Sequence, residues 1–366
     1  MKKLFSCLLP VLIAIGAASI IRAAAGSESH PPLKLIQTIH LTDIRAAGAG
    51  LTSQQLASAL QTSRMVNASN HFDHFEVDLK RHRLFITPED HKSVEVYDFR
   101  TGAFVHSIRG IGMAHAVLYR PDLDEVFVTD GADGALRIFT GADYKLIKTV
   151  KLLTDADSIG YDPATHYLYI DNGGLDAHID YCLLSIVDTN TGKRVGDIRI
   201  ESNRIEAMVL ERGGPRIFLN MTEKNEIGVI DRRSRMVIAK WPVQGGKVNV
   251  AIALDEAHHR LFVACRDGRL IVFNSDTGKV LQTLPIATGV DDMTYDPVRH
   301  RLYVACGEGV VDVYQQLTAD QYRLLGAIPT GPLGKTGRLI PELNRYFVAV
   351  PPHGNVSAEV LGFEVQ

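Results

Sequence analysis

One short pattern recurs along this chain and limits what it can fold into. "RLFIT", "EVFVT", "YLYID", "RIFLN", "RLFVA", "RLYVA" and "RYFVA" are alternating apolar runs. They place an aromatic at Phe85, Phe127, Tyr169, Phe218, Phe262, Tyr303 and Phe347, at intervals of 42, 42, 49, 44, 41 and 44 residues. A period of this size marks a supersecondary unit that buries its apolar faces only against neighbouring copies.

The internal grammar of each copy identifies the unit. A first strand runs into an acidic turn before the aromatic strand, as in "VDLKRHRLF", "YDPATHYLY", "LDEAHHRLF" and "YDPVRHRLY"; Asp-Pro and Asp-Glu suit a tight reversal there. A loop rich in Asp, Gly and Asn follows, then a third alternating strand such as "SVEVYD", "EIGVID" or "RLIVFN". Turns like "DTNTGK" and "SDTGK" lead to a fourth strand, as in "FVHSIR" or "VLQTLPI". Period-two alternation over short β-rich runs predicts four antiparallel strands per copy. No copy holds a helical period of useful length, which excludes helical solenoids. The expected fold is all-β, a seven-bladed β-propeller with four strands per blade.

The count of strands adds a detail. The seventh copy ends at "AEVLGFEVQ" and lacks a fourth strand, while "LKLIQTIHL" (Leu33 to Leu41) reads like the fourth strand "KVLQTLPI". Pairing the early segment with the chain's end closes the ring and ties down both ends. One propeller domain is therefore expected over residues 33–366. Residues 43–70 form its longest insertion, with "TSQQLASALQTSR" readable as a short capped helix that serves as a lid at the channel mouth.

The repeat resembles the YVTN-type seven-bladed propellers, in particular exported YncE-like bacterial proteins. The resemblance rests on "RLYVAC", "RLFVAC" and "IVDTNTGK", with "DADSIGYD", "GVDDMTYD" and "FDHFEVD" at the starts of inner strands. It covers essentially all of 33–366 and implies a propeller in an exported protein. In two copies Ala-Cys stands where that family carries Thr-Asn after the Tyr-Val pair.

The first residues agree on compartment. Lys2 and Lys3 precede an apolar run from Leu4 to Ile21, and a small-residue cleavage site ends at Ala25. That is the layout of a secretory signal peptide over residues 1–25, predicting a periplasmic or secreted protein. No later segment approaches a membrane-spanning length. Cleavage removes Lys2, Lys3, Arg22 and no acid, which takes the formal net charge from −3 to −6. So acidic a chain is disfavoured for charge-driven nucleic-acid binding. The mature chain keeps only Cys182, Cys265 and Cys306, with no CxxC or zinc spacing. Buried thiols are expected.

In a propeller the first strand of every blade lines the central channel. Aligning these strands on the turn that follows them gives a ring of His74, His115, Ser158, Ala207, Ala251, Asp292 and Arg338. The preceding position contributes Asp73, Asp157, Glu206 and Asp291. "TGPLGKTGR" adds Lys335 beside Arg338; without the first glycine of a phosphate loop, and with no helix after it, it predicts at most an anion contact. The expected ligand-binding set is Asp73, His74, His115, Asp157, Glu206, Asp291, Asp292, Lys335 and Arg338, convergent polar groups in one pocket. His74 and His115, with Asp73, allow a shared divalent cation between neighbouring blades. Loop 171–182 brings His178, Asp176 and Asp180 to the same face.

No nucleophile–base pair, cofactor fingerprint or metalloprotease motif is present, and the expected catalytic set is empty. The first expectation is a monomeric, non-catalytic binding module that holds a partner protein or small polar ligand at the channel mouth. An alternative is a lactonase-type hydrolase using a divalent metal at that mouth. The family resemblance implies a third reading, single-stranded DNA binding.

Overall fold

The structure is a computed structural model that describes residues 31–41, 44 and 71–366. The expected signal peptide and, apart from Ile44, the lid-like insertion lie outside the described residues. Among the described residues there are seven four-stranded antiparallel sheets and no α-helix, only short 3-10 turns. No helix among them is long and apolar enough to cross a membrane.

The seven sheets are blades. Their first strands are Glu76–Asp78, Ala114–Arg120, Ile159–Asp162, Met208–Leu210, Asn249–Asp255, Val290–Asp296 and Thr336–Ile340. First strands of neighbouring blades pack against one another around the axis. Second and third strands are buried on both faces, as in Arg260–Cys265 and Arg269–Asn274, whereas fourth strands such as Met236–Pro242 alternate between exposed and half-buried. The expected grammar of the repeat thus becomes a radial gradient from axis to rim.

The seventh blade is completed as the strand count predicts. Leu33–His40 pairs antiparallel with Glu359–Val365, from Leu33 opposite Val365 to His40 opposite Glu359, with a bulge between Leu35 and Gln37. The Leu41 amide donates to the Ala358 carbonyl at 2.8 Å, and the Gln366 amide to the Pro32 carbonyl at 3.0 Å.

Seven apolar clusters fill the seven junctions between blades. Each repeated aromatic sits in a different one: Phe85 between blades 1 and 2, Phe127 between 2 and 3, and so on to Phe347 between 7 and 1. The aromatic therefore recurs because every junction needs one. The single tryptophan, Trp241, packs on Phe218 at 5.6 Å between ring centres in the junction of blades 4 and 5. Gly278, in the "DTGK" turn of blade 5, has φ of +71°, and a Cβ there would lie 2.3 Å from that indole. Cys182, Cys265 and Cys306 are buried thiols in no disulfide among the described residues, as expected.

The turns between first and second strands explain several histidines. Asp78, Asp162 and Asp296 each accept backbone amides two or three residues on. The chain then passes through a left-handed residue, which is His82, His166, His259 or His300 in four blades. These histidines hold turns away from the channel mouth.

Candidate functional site

Residues that enter the first strands, and the loops between second and third strands, enclose a cavity of about 450 Å³ on the axis. All seven blades contribute. Of the expected set, Asp73, His74, His115, Asp157, Glu206, Asp291 and Lys335 line it. Asp292 and Arg338 line a second cavity of about 410 Å³ further along the channel.

Arg338 is displaced for a specific reason. In blades 1, 5 and 6 the residue paired with the arginine that opens the second strand is an aspartate: Asp78, Asp255 or Asp296. In blade 7 that place is taken by Ile340, and the acid Glu342 falls two residues later in the 3-10 turn Pro341–Leu343. An alignment on the acid therefore slips by two residues. The true ring member is Thr336, whose hydroxyl donates to the Phe72 carbonyl at 2.8 Å. Arg338 lies opposite Phe347, one layer further along, and pairs with Glu76 at 3.2 Å.

His115 reaches the cavity because the alignment slips by one residue in blade 2. There Arg120, not Tyr119, pairs with Glu125 at the opening of the second strand, so His115 takes the place that Val250 and Asp291 hold in blades 5 and 6, after the same shift of register. Its Nδ1 lies 2.7 Å from Asp73 Oδ2 and 3.7 Å from Asp157 Oδ1. His74 Nε2 lies 3.4 Å from Asp73 Oδ1, and its Nδ1 lies 3.0 Å from Asp292 Oδ1. The two histidines of neighbouring blades thus share the carboxylate of Asp73.

Seven carboxylates face the cavity against three permanent cations. Glu89, Asp155 and Asp176 join Asp73, Asp157, Glu206 and Asp291; the cations are Lys335, Arg204 and Arg266. Asp291 lies between Lys335 and Arg266 and bonds to both, and Arg204 holds Glu206 at 2.9 Å. His71, on the cavity wall, is 7% exposed, and neither ring nitrogen has a hydrogen-bond partner among the described residues. Glu89, Arg266 and Asp176 come from second-to-third-strand loops; Asp155 and Arg204 stand two residues before Asp157 and Glu206. Of the 171–182 loop, Asp176 lines the cavity, while His178 and Asp180 are exposed and do not line it. Lys335, buried and paired with Asp291, is committed to that carboxylate rather than to an outside anion.

Crowding of buried acids sets their protonation. Burial pushes Glu89 up to about 7 against the pull of the His115 charge. Burial and the neighbouring Asp176 raise Asp155 to about 6. Asp157 and Asp171 are held well above the carboxylate range by burial and by the acids around them. Burial alone would lower His74 and His115, but the carboxylates beside them win and hold both imidazoles well above 6.5. Burial likewise would raise Asp73, but the charges of His74 and His115 hold it below its ordinary value. His71 is lowered to about 4 by burial and by Lys335.

These shifts give stability a direction with pH. A raised acid holds its proton in the folded state over a range where the unfolded chain has lost it, so its stabilisation fades as pH rises through the folded value. Glu89, Asp155, Asp157 and Asp171 act this way above about pH 4, and His74 and His115 do so above about 6.5. His71 opposes them only between about 4 and 6.5. The melting temperature is therefore expected to be higher at pH 5 than at pH 8, with a slope on the order of 1 kcal/mol per pH unit. Calorimetry across that range checks it. Glu89→Gln with Asp155→Asn should flatten the slope, and a melting temperature that climbs toward pH 8 would contradict the assignment.

Comparison with known proteins adds the fold alone. No family model and no curated protein matches the chain. Solved structures do match. A chain of the mitotic checkpoint complex superposes with a TM-score of 0.69 at 12% identity, covering 100% of this chain and 99% of that one. A chain of Kuenenia stuttgartiensis hydrazine synthase gives 0.67 at 16% identity, over 83% and 99%. The WD40 repeats of RRP9 give 0.68 at 10% identity, over 82% and 96%. The chain is a seven-bladed β-propeller, and WD40 propellers are among its structural neighbours.

Proposed function

We propose that this chain is an exported, YVTN-type binding module whose channel mouth holds a small cationic ligand, free or as the side chain of a partner protein. The single observation that carries the ligand class is the crowding of seven carboxylates around the mouth cavity, where the permanent cations are already committed, Lys335 and Arg266 to Asp291 and Arg204 to Glu206. A cation entering this cavity relieves repulsion among acids that are otherwise forced to keep protons. An anion would have to break the Asp291 pairs to find a partner. The reading of export rests on the basic, apolar and small-residue order of residues 1–25.

The test uses the chain expressed with its own N-terminus. The product recovered from the cell-envelope fraction should begin at Gly26, and calorimetric titration with spermidine should show saturable binding that weakens with added salt. Glu206→Gln and Asp155→Asn should each weaken spermidine by about tenfold, equivalent to roughly 1.4 kcal/mol. Binding of small dicarboxylates with none of spermidine would overturn the ligand class. An unprocessed cytoplasmic product would overturn export.

A further inference from the structure

At the inner rim of the mouth, ligand atoms of Asp73, Glu89 and His115 all lie within 4.8 Å of one another. A second triplet, Asp73, His74 and Asp157, meets the same limit and shares Asp73. Zn²⁺ or Mn²⁺ holds carboxylate oxygens and imidazole nitrogens at about 2.0–2.2 Å, which keeps any two ligands within roughly 4.4 Å. The first triplet lies within a few tenths of an ångström of that span. Burial separates this cluster from an ordinary solvated group of acids, since Asp73 and His115 are each 7% exposed.

A second observation comes from His71, which belongs to neither triplet. Its backbone carbonyl accepts the Glu89 amide at 3.0 Å, which fixes it to the turn that carries Glu89. It is as buried as Asp73, lines the same cavity, and leaves both ring nitrogens without a partner among the described residues. An imidazole buried without a hydrogen bond costs free energy unless something absent from the bare chain satisfies it. A water or ligand bound to a nearby ion supplies such a partner.

We propose that Asp73, Glu89 and His115 bind one divalent cation at the inner rim of the mouth, with His71 facing the ion's outer coordination positions. The inference rests on the cation-binding reading of the cavity and gives it a definite inner ligand. The donor set, two carboxylates and one imidazole without sulfur, suits Zn²⁺ and Mn²⁺ better than Cu⁺. Asp157 and His74 stand ready on the far side of Asp73, so the ion is drawn to the blade 1–2–3 side. The rest of the cavity stays open for a polar ligand to complete its coordination. Lys335, on the blade 7 side, is neutralised by Asp291 rather than by the cluster.

The full chain, stripped with chelator and dialysed, is titrated with Zn²⁺ and with Mn²⁺ by calorimetry, and bound Mn²⁺ is read by electron paramagnetic resonance. One ion per chain is expected, Zn²⁺ tighter than Mn²⁺. Asp73→Asn and Glu89→Gln should each weaken Zn²⁺ at least tenfold. His71→Ala should broaden or shift the bound Mn²⁺ signal while leaving stoichiometry at one. The exposed Asp143→Asn serves as the control that leaves affinity unchanged, and thermal melts establish that each variant is folded. No saturable binding of either metal, or equal affinity in folded Asp73→Asn and Glu89→Gln variants, would overturn the site. Spermidine binding retained under that outcome leaves the broader reading standing, which separates the two failures.

Discussion

Deletion of residues 1–41 is expected to abolish cooperative folding of the propeller, not merely to fray its seventh blade. The early strand carries Leu33, Ile39 and Leu41, all at most 2% exposed, into two different junctions. Leu33 packs between blades 6 and 7, and Ile39 and Leu41 between blades 7 and 1. Fully burying such side chains is worth about 1.5–3 kcal/mol each, so the three together contribute roughly 5–9 kcal/mol, before the backbone ladder to Glu359–Val365 is counted. Net stabilities of domains lie at about 5–15 kcal/mol, so losing this strand removes most of the margin. Its loss also exposes the edge of Glu359–Val365, a ready template for association. Circular dichroism melts and size-exclusion chromatography of the truncated chain give the readout. A truncated monomer that melts as sharply and as high as the full chain would show that the ring does not depend on its latch.

The repeat was legible because it answers a packing demand that recurs seven times. Every junction between blades needs a large apolar group at the same depth, so Phe85, Phe127, Tyr169 and their four counterparts keep step, and their strands follow. The latch was legible because the count of strands came out one short at the end of the chain. The mouth was only partly so, because sites depend on local departures from the repeat. Asp73, His74, Asp157 and Glu206 could be found by register alone. His115 was found by the same register but placed one layer too deep, because Arg120 rather than Tyr119 holds the turn position in blade 2. Arg338 was misplaced because Ile340 takes the position that an aspartate holds in blades 1, 5 and 6. Glu89 and Arg266 sit in second-to-third-strand loops of different lengths, where alignment between blades has no anchor. Asp155 and Arg204 did carry a signal, since each precedes a ring acid by two residues and so falls on the same side of an extended chain.

The same cavity yields the largest effect expected from a single side chain, at Asp291. Its carboxylate lies between Lys335 and Arg266, and all three side chains are close to fully buried. The two cations hold the Asp291 carboxyl well below its ordinary range despite burial. Folded-state ionisation of this kind supplies stability above the unfolded carboxylate value that is lost as pH falls below it. Asp291→Ala leaves Lys335 out of water without its carboxylate and removes that carboxylate from Arg266 as well. Removing one member of a buried ion pair costs about 3–5 kcal/mol, and here two cations lose the same carboxylate at once, so the upper end is expected in chemical denaturation at pH 7. Replacing the group as a unit, Asp291→Leu with Lys335→Met and Arg266→Met, should recover most of that loss, because apolar groups of similar volume spare the desolvation of all three charges. The comparison separates the two roles the triad can play. If the triple variant is as unstable as Asp291→Ala, the loss comes from packing and not from stranded charge. If it recovers stability while spermidine binding at the acidic side persists, then Lys335 and Arg266 serve the architecture of the mouth and not its ligand.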